Sequence, residues 1–160
     1  MAIDKKYIGR QYGPYVYEVG TEKVREFAWA VGGTVPSMGF TGKGAPRGMH
    51  PWLFDKAAGA ESPYKSIVAM PNYAVTFAIA PFGHAIVDPD LGINVLLLVH
   101  GEQEFEWFEV IRPGDVMTTT GVITSIFEKA NMDFLAVTTE SKNQTGKLVV
   151  KAVWTAVIRR

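Results

Sequence analysis

The sequence predicts an α+β fold in which one antiparallel β-sheet wraps around a single buried α-helix. Four consecutive runs after residue 93 are dense in Val, Ile, Thr, Phe and Trp, which favour strands. Short turns at residues 112–115 and 141–147 separate some of these runs, as is typical of antiparallel neighbours. Residues 73–80 are apolar nearly all round, which predicts a buried helix. The length of 160 residues indicates one domain over residues 1–160.

The composition excludes several classes of function. The 16 basic residues balance the 16 acidic ones, so nothing favours binding to a phosphate backbone, and we expect no nucleic-acid partner. The chain has no cysteine, which excludes disulfides, thiolate zinc sites and cysteine nucleophiles. The longest apolar run, residues 93–99, is too short to span a bilayer and suits a buried strand or helix end. We therefore expect a cytoplasmic protein that binds no membrane.

The first half of the chain begins with a predicted strand at residues 15–19, which Gly20 ends. Thr21 is a suitable N-cap for the helix that follows, and Gly32 ends that helix. The helix carries one apolar stripe at the spacing i, i+3, i+4, i+7. The stripe consists of Val24, Phe27, Ala28 and Val31. Residues 32–63 then have the composition of a long loop, and Pro71 can open the buried helix.

The last of the four extended runs has the clearest alternation. Its apolar face consists of Leu148, Val150, Ala152, Trp154, Ala156 and Ile158. The opposite face carries Lys151 and Thr155. Alternation of this kind predicts a strand with one covered face, and the apolar helix beginning near Tyr73 is the expected cover.

Two segments carry a resemblance to a known family. Residues 15–32, YVYEVGTEKVREFAWAVG, and residues 96–115, LLLVHGEQEFEWFEVIRPGD, resemble the MaoC-like hot-dog dehydratases. The match is closest to their N-terminal, fatty-acid-synthase-type dehydratase domain, and the segment 100–103 is its most specific part. The resemblance implies a hot-dog fold and the addition or removal of water across the α,β bond of acyl thioesters. The thioester is carried on coenzyme A or acyl carrier protein, with no other cofactor and no metal.

Catalytic members of that family carry an Asp and a His just after the first helix, in the pattern Asp-x-Asn-Pro-x-His. When the helix end and Pro36 are aligned with this pattern, the Asp position is Gly33 and the His position is Met38. Glycine has no side chain, and the methionine thioether cannot act as a base. The resemblance therefore implies that the loop is retained without its catalytic pair, and whether the chain alone is an enzyme stays open.

Relocated catalytic groups are an alternative explanation. His50, His84 or His100 could then act as the base, with Asp55 or Asp88 as its carboxylate partner. A structural role is the competing interpretation for each histidine. On that interpretation His84 lies in a loop at a helix end, and His100 lies at a strand kink and is hydrogen-bonded.

The resemblance also implies a substrate-binding surface. Pro71, Asn72 and Tyr73 would form the N-terminus of the buried helix, whose free N–H groups would face the thioester carbonyl. The residues expected along an acyl channel are Trp52, Tyr73, Phe77 and Phe82. Ordinary core packing explains Phe77 better and Tyr73 equally well. Lys43 and Arg47 are candidates for contacts with the phosphates of coenzyme A.

The resemblance finally implies a role as the non-catalytic subunit of a two-subunit (R)-specific hydratase or dehydratase. A second hot-dog subunit would pair with it edge to edge. Two alternatives remain: a self-sufficient hydratase with relocated catalytic residues, and a thioester-binding homodimer without catalysis. Residues 93–99 are apolar on both faces, which predicts that the protein is not a stable monomer.

Overall fold

The computed structural model of the chain describes residues 3–31 and 50–159. The chain forms two compact units. The sheet unit contains residues 1–17, 75–109 and 117–160, and the helical unit contains residues 18–74 and 110–116. The assignment of residues 1–160 to a single domain therefore stays a proposal.

Five strands form one sheet within the described residues. They are β1 Gln11–Glu18, β2 Leu98–Trp107, β3 Val116–Lys129, β4 Met132–Lys142 and β5 Leu148–Arg159. Their order across the sheet is β1-β3-β4-β5-β2, and the pairs β3–β4, β4–β5 and β2–β5 are antiparallel. This arrangement confirms the predicted strands and leaves β1 and β2 at the two edges.

Alternation along the strands separates a buried inner face from an outer face. In β5 the predicted inner residues from Val150 to Ile158 are buried, and only Leu148 at the start is half-buried. In β4, Leu135 and Val137 are also fully buried. The two-residue period of a strand puts these side chains on one face, so the sequence pattern alone predicted the core of the sheet.

Four helices lie within the described residues. They are α1 Thr21–Val31, α2 Lys56–Glu61, α3 Val75–Ala78 and α4 Ala80–Ile86. The sequence predicted one continuous helix from Pro71 to Ala80, which is wrong in detail. The segment Pro71–Ala74 is a 3₁₀ turn in the helical unit, and the helix breaks again between α3 and α4. Pro81 lies in the first turn of α4, where a missing N–H costs little, and this favours a new helix start.

Helices α3 and α4 cover the inner face of β4 and β5, as predicted for the buried helix. Their buried side chains are Phe77, Ala78, Pro81, Phe82 and Ala85. The closest approach is at Gly121 on β3, where an added Cβ would lie 2.4 Å from Cβ of Pro81. Only glycine therefore allows α4 to pack this closely on the sheet.

In the helical unit, α1 confirms the predicted helix but not its whole apolar stripe. Val24 and Ala28 are buried, whereas Val31 is exposed and Trp29 is buried instead, with the Arg25 guanidinium 5.0 Å from its ring. The helix begins one residue earlier than expected, since the N–H of Val24 donates to the carbonyl of Gly20.

The predicted loop at residues 32–63 is wrong where the structure describes it. Residues Lys56–Glu61 form α2, and Pro51–Leu53 forms a 3₁₀ turn. Gly59 lies so close to the backbone of Ile67 that an added Cβ would be 2.6 Å from its nitrogen. Apart from Gly59, α2 consists of Lys, Ala and Glu, which favour helices, so the loop prediction missed a local signal here. Residues 32–49 lie outside the described part of the chain.

The apolar run at residues 93–99 is not buried, contrary to the sequence prediction. Residues Val95–Leu97 form a 3₁₀ turn, and β2 begins at Leu98. Leu96 is 89% exposed and Val95 is 51% exposed. Among the described residues, no helix is long and apolar enough to cross a membrane.

Candidate functional site

The histidines of the sheet unit lie in ordered but different surroundings. His84 lies in the last turn of α4 rather than in a loop, because α4 continues to Ile86, and its exposed ring stacks on Tyr15 at a centroid distance of 4.4 Å. His100 lies in β2, where the register with β5 shifts between His100 and Glu102. This bulge confirms the predicted kink.

Asp88 holds together a polar cluster in the sheet unit. Its carboxylate accepts hydrogen bonds from the Tyr12 hydroxyl at 2.8 Å and from the Asp90 backbone N–H at 3.0 Å. The Arg10 guanidinium lies 3.1 Å from the same carboxylate, and the Asp88 side chain is only 8% exposed. Burial raises the pKa of the Tyr12 hydroxyl, and its hydrogen bond to Asp88 raises that pKa further. Asp88 is therefore committed to a structural cluster.

In the helical unit, Asp55 and His50 also have structural roles. Asp55 caps α2, because its carboxylate accepts the backbone N–H of Ala58 at 2.8 Å. The exposed ring of His50 stacks on Trp52, and the Trp52 ring meets that of Tyr64 edge to face at 5.9 Å. The nearby carboxylate proposed as a partner for His50 is therefore engaged in capping α2.

No imidazole–carboxylate pair is present in the part of the chain that the structure describes, residues 3–31 and 50–159. The same residues contain no group of three His, Asp or Glu side chains able to share a metal ion. General acid–base chemistry needs a proton donor or acceptor held in place by a partner. The described residues do not supply that arrangement. Gly33, Met38, Lys43 and Arg47 lie outside them.

The residues predicted to form the helix N-terminus differ in exposure. Pro71 and Asn72 are exposed, whereas Tyr73 is 1% exposed and meets Phe27 edge to face at 5.3 Å. In the sheet unit, the buried Phe77 lies 5.8 Å from Tyr17. Within its own unit, each of the two buried rings packs as a core residue does. Their roles in substrate binding remain a proposal.

A cluster of aromatic rings lies at the β2 edge of the sheet unit. The aromatic cluster consists of Phe82, His100, Phe105, Trp107 and Trp154. Trp154 is at its centre and is fully buried, with Phe82 at 5.9 Å and the edge of Phe105 at 5.5 Å. The Trp154 indole N–H donates to the Thr139 hydroxyl at 3.0 Å.

Of this cluster, Phe82 and His100 were considered as site residues from the sequence. Phe105, Trp107 and Trp154 were not predicted as site residues. The signal was present, since Trp154 is on the apolar face of β5 and Phe105 pairs in register with Ala152 of the same face. The outer members His100 and Trp107 are exposed. The cluster can therefore bind an apolar group or a partner surface, but it carries no acid–base pair.

Comparison with known proteins identifies the family. The family model described as FAS1-like, dehydratase domain region, matches residues 43–152. The chain belongs to the FAS1-like dehydratase family. Curated relatives of this FAS1-like dehydratase chain include a UPF0336 protein of Streptomyces griseus, 33% identical over 99% of this chain and 97% of the relative. A UPF0336 protein of Streptomyces coelicolor is 35% identical over the full chain and 97% of the relative.

Solved structures agree with the family assignment. The FAS1-like dehydratase chain is similar to a chain of the C-terminally truncated HadBC (3R-hydroxyacyl-ACP dehydratase) complex of Mycobacterium tuberculosis. The identity is 25%, the TM-score is 0.74, and the match covers 94% of this chain and 96% of that one. A MaoC-like dehydratase is 28% identical with a TM-score of 0.76, over 96% of this chain and 42% of that chain. The hot-dog fold and the relation to the MaoC-like dehydratases are thereby confirmed.

Proposed function

We propose that the chain is the non-catalytic, acyl-chain-binding subunit of a heteromeric (R)-specific enoyl hydratase or 3-hydroxyacyl dehydratase. The heteromeric enzyme acts in the cytoplasm on fatty acyl thioesters of coenzyme A or acyl carrier protein. A second hot-dog subunit supplies the Asp and the His that activate water and protonate the α-carbon. The present chain contributes part of the acyl pocket and an edge for pairing.

One observation carries this proposal: the histidines and aspartates considered as relocated catalytic groups each make a structural contact instead of an imidazole–carboxylate pair. His84 stacks on Tyr15, Asp88 holds the cluster with Tyr12, and Asp55 caps α2. The family pattern adds that Gly33 and Met38 occupy the catalytic positions. The similarity to a chain of the HadBC complex supports a two-subunit dehydratase as the relevant comparison.

The two edges of the sheet differ in a way that favours β2 for pairing. β1 contains Pro14, which has no backbone N–H to donate to a neighbouring strand. β2 contains no proline and has exposed apolar side chains before it, at Leu96, and at its end, at Trp107. An exposed strand of this kind needs a neighbour, and a second hot-dog sheet would provide one.

The proposal is tested by activity with and without the partner. The purified chain alone should show only background hydration of crotonyl-coenzyme A, because each missing acid–base group is worth roughly 10²–10⁴-fold in rate. The complex with its co-purifying hot-dog subunit should hydrate the same substrate. Substitution of the Asp or the His in that subunit's Asp-x-Asn-Pro-x-His motif should abolish the activity.

The alternatives give different results in the same assay. A self-sufficient hydratase would turn over crotonyl-coenzyme A without a partner and would lose this activity in His50→Ala or His84→Ala. A non-enzymatic homodimer would bind butyryl-coenzyme A in a calorimetric titration and gain no activity from any hot-dog subunit. Either result would replace the proposed function.

A further inference from the structure

The edge strand β2 carries a row of carboxylates on its outer face. Gln103 and Phe105 pair in register with the buried residues Trp154 and Ala152, so their side chains are on the inner face. The residues between and beside them face outward. They form the carboxylate row, which consists of Glu102, Glu104 and Glu106, paired in register with Thr155, Val153 and Lys151.

The carboxylate row keeps an excess of negative charge in the described part of the chain. All three side chains are exposed, and none makes an ion pair with another described residue. Lys151 on β5 is opposite both Glu106 and Glu140, and Lys129 lines the same surface depression as Glu102. These two lysines are fewer than the carboxylates that they face. The outer surface of this edge is therefore negative.

The row matters because β2 is the edge strand that the proposed function assigns to pairing. Beyond β2 the sheet has no further strand among the described residues. Apolar side chains are exposed close to the strand at both ends, at Leu96 and Val99 on one side and at Trp107 and Phe108 on the other. A strand added to this edge would meet the three carboxylates directly.

Pairing with a second copy of the same strand would bring carboxylates together. In an antiparallel pair with two-fold symmetry, opposing residues share a face of the sheet. If the two-fold axis passes through Gln103, Glu102 of each strand lies opposite Glu104 of the other strand, which gives two pairs of opposing carboxylates. An axis at Glu104 gives three such pairs, and an axis at Phe105 gives two between Glu104 and Glu106. Like charges directly opposite each other across two strands are destabilising.

We infer that the carboxylate row selects the partner. It disfavours self-pairing through β2 and favours a strand of a different hot-dog subunit that carries Lys or Arg at the opposing outward positions. Charge complementarity is the basis of this choice, since opposite charges across two strands stabilise the pair and like charges do not. This inference rests on the proposed function, because it names the chemistry of the partner that the proposed function requires.

The experiment uses the chain itself as a probe of known charge. A lysine-row variant, Glu102→Lys/Glu104→Lys/Glu106→Lys, keeps the same edge and reverses the row. In sedimentation equilibrium at low salt, the mixture of wild type and lysine-row variant should associate about tenfold or more tightly than wild type with itself. High salt should reduce the difference, because exposed charges are screened. Equal affinities at low salt would overturn the inference.

A second variant keeps the inference testable if the lysine-row variant does not fold. The glutamine-row variant, Glu102→Gln/Glu104→Gln/Glu106→Gln, removes the charges with little change in shape and should self-associate several-fold more tightly than wild type. Glu18→Gln is the matched control, since this exposed carboxylate lies on β1 at the opposite edge of the sheet and should leave association through β2 unchanged. Wild type and glutamine row associating equally would contradict the inference. The hydratase assay with the co-purified subunit tests the proposed function separately.

Discussion

Gly121→Ala tests whether close contact between the helix and the sheet fixes the fold of the sheet unit. The new methyl carbon would lie 2.4 Å from Cβ of Pro81 and 3.2 Å from Cγ2 of Thr139. Ordinary van der Waals contact begins at 3.4 Å, so α4 would have to retreat by 3.4 − 2.4 = 1.0 Å. The Pro81 ring cannot turn away, because its side chain is closed onto the backbone. The whole helix or the strand must therefore shift.

Two opposing effects set the size of the change. Overpacking of a well-packed interior costs about 1–3 kcal/mol. Replacing glycine restricts the unfolded chain and returns about 0.4–1 kcal/mol. The difference between the two effects is centred on about 1.3 kcal/mol, with an upper limit of about 2.6 kcal/mol. The free energy of unfolding should fall by this amount, and for a chain of this length the central value lowers Tm by roughly 3–5 °C.

The assay is thermal unfolding followed by far-ultraviolet circular dichroism, with Gly83→Ala as the matched control. Gly83 lies in α4 itself, and an added Cβ there has no heavy atom within 4 Å. Alanine is the better helix former by about 0.8–1 kcal/mol, so the same substitution at Gly83 should raise Tm. The reasoning would be refuted if Gly121→Ala were as stable as wild type, or if both variants shifted Tm in the same direction.

Three further substitutions test the cores of the two units. Thr139→Val should leave the buried Trp154 indole N–H without its acceptor and cost about 1–3 kcal/mol in urea unfolding; an unchanged midpoint would contradict this. Tyr73→Trp should cost about 1–3 kcal/mol of stability, because Tyr73 is buried. If Tm were unchanged and the substitution weakened binding of dodecanoyl-coenzyme A more than binding of butyryl-coenzyme A, Tyr73 would instead line a channel. The native pKa of Tyr12 is raised above the ordinary 10.0 by burial and by Asp88, so the unfolded chain ionises first and stability falls as pH rises above about 10. Tyr12→Phe should remove that part of the alkaline slope in unfolding measured across this pH range.

The sheet could be predicted from the sequence because its signals are local. Strand β5 alternates strictly from Val150 to Ile158, and this alternation is the physical consequence of a two-residue period with one buried face. Residues 112–115 and 141–147 were recognisable as turns from their Gly, Asn and Asp content. The first is a turn in which the Asp115 carboxylate accepts the N–H of Arg112, and the second turn is shorter than predicted, since β4 continues to Lys142.

The helices could be predicted less well than the sheet, for two different reasons. Helix α2 has a local signal that the loop prediction missed, since all its residues except Gly59 favour helices. Helix α4 contains Pro81 and Gly83, which do not favour a helix, and it forms because its apolar face is buried on the sheet. Tertiary packing overrides weak local propensity in α4.

In the candidate site, too, some features follow from local sequence and others depend on contacts between distant residues. The absence of the Asp and the His at positions 33 and 38 can be read from the sequence once the family pattern is aligned. The contacts that occupy the other candidates cannot, since the stacking of His84 on Tyr15 spans 84 − 15 = 69 residues and the bond from Tyr12 to Asp88 spans 76. Whether a histidine is a base or a packed ring depends on such long-range contacts.

The run at residues 93–99 links the sequence pattern to the proposed assembly. Its apolar composition predicted burial, yet Val95 and Leu96 are largely exposed in the single chain. Burying a side chain of this size contributes about 1.5–3 kcal/mol, whereas one exposed cross-strand charge pair contributes only about 0.2–1 kcal/mol. The apolar residues would therefore supply most of the affinity for any hot-dog partner, and the carboxylate row would decide between partners. A surface of this kind gives tight binding and selectivity from different residues, so the two properties can be changed independently by substitution.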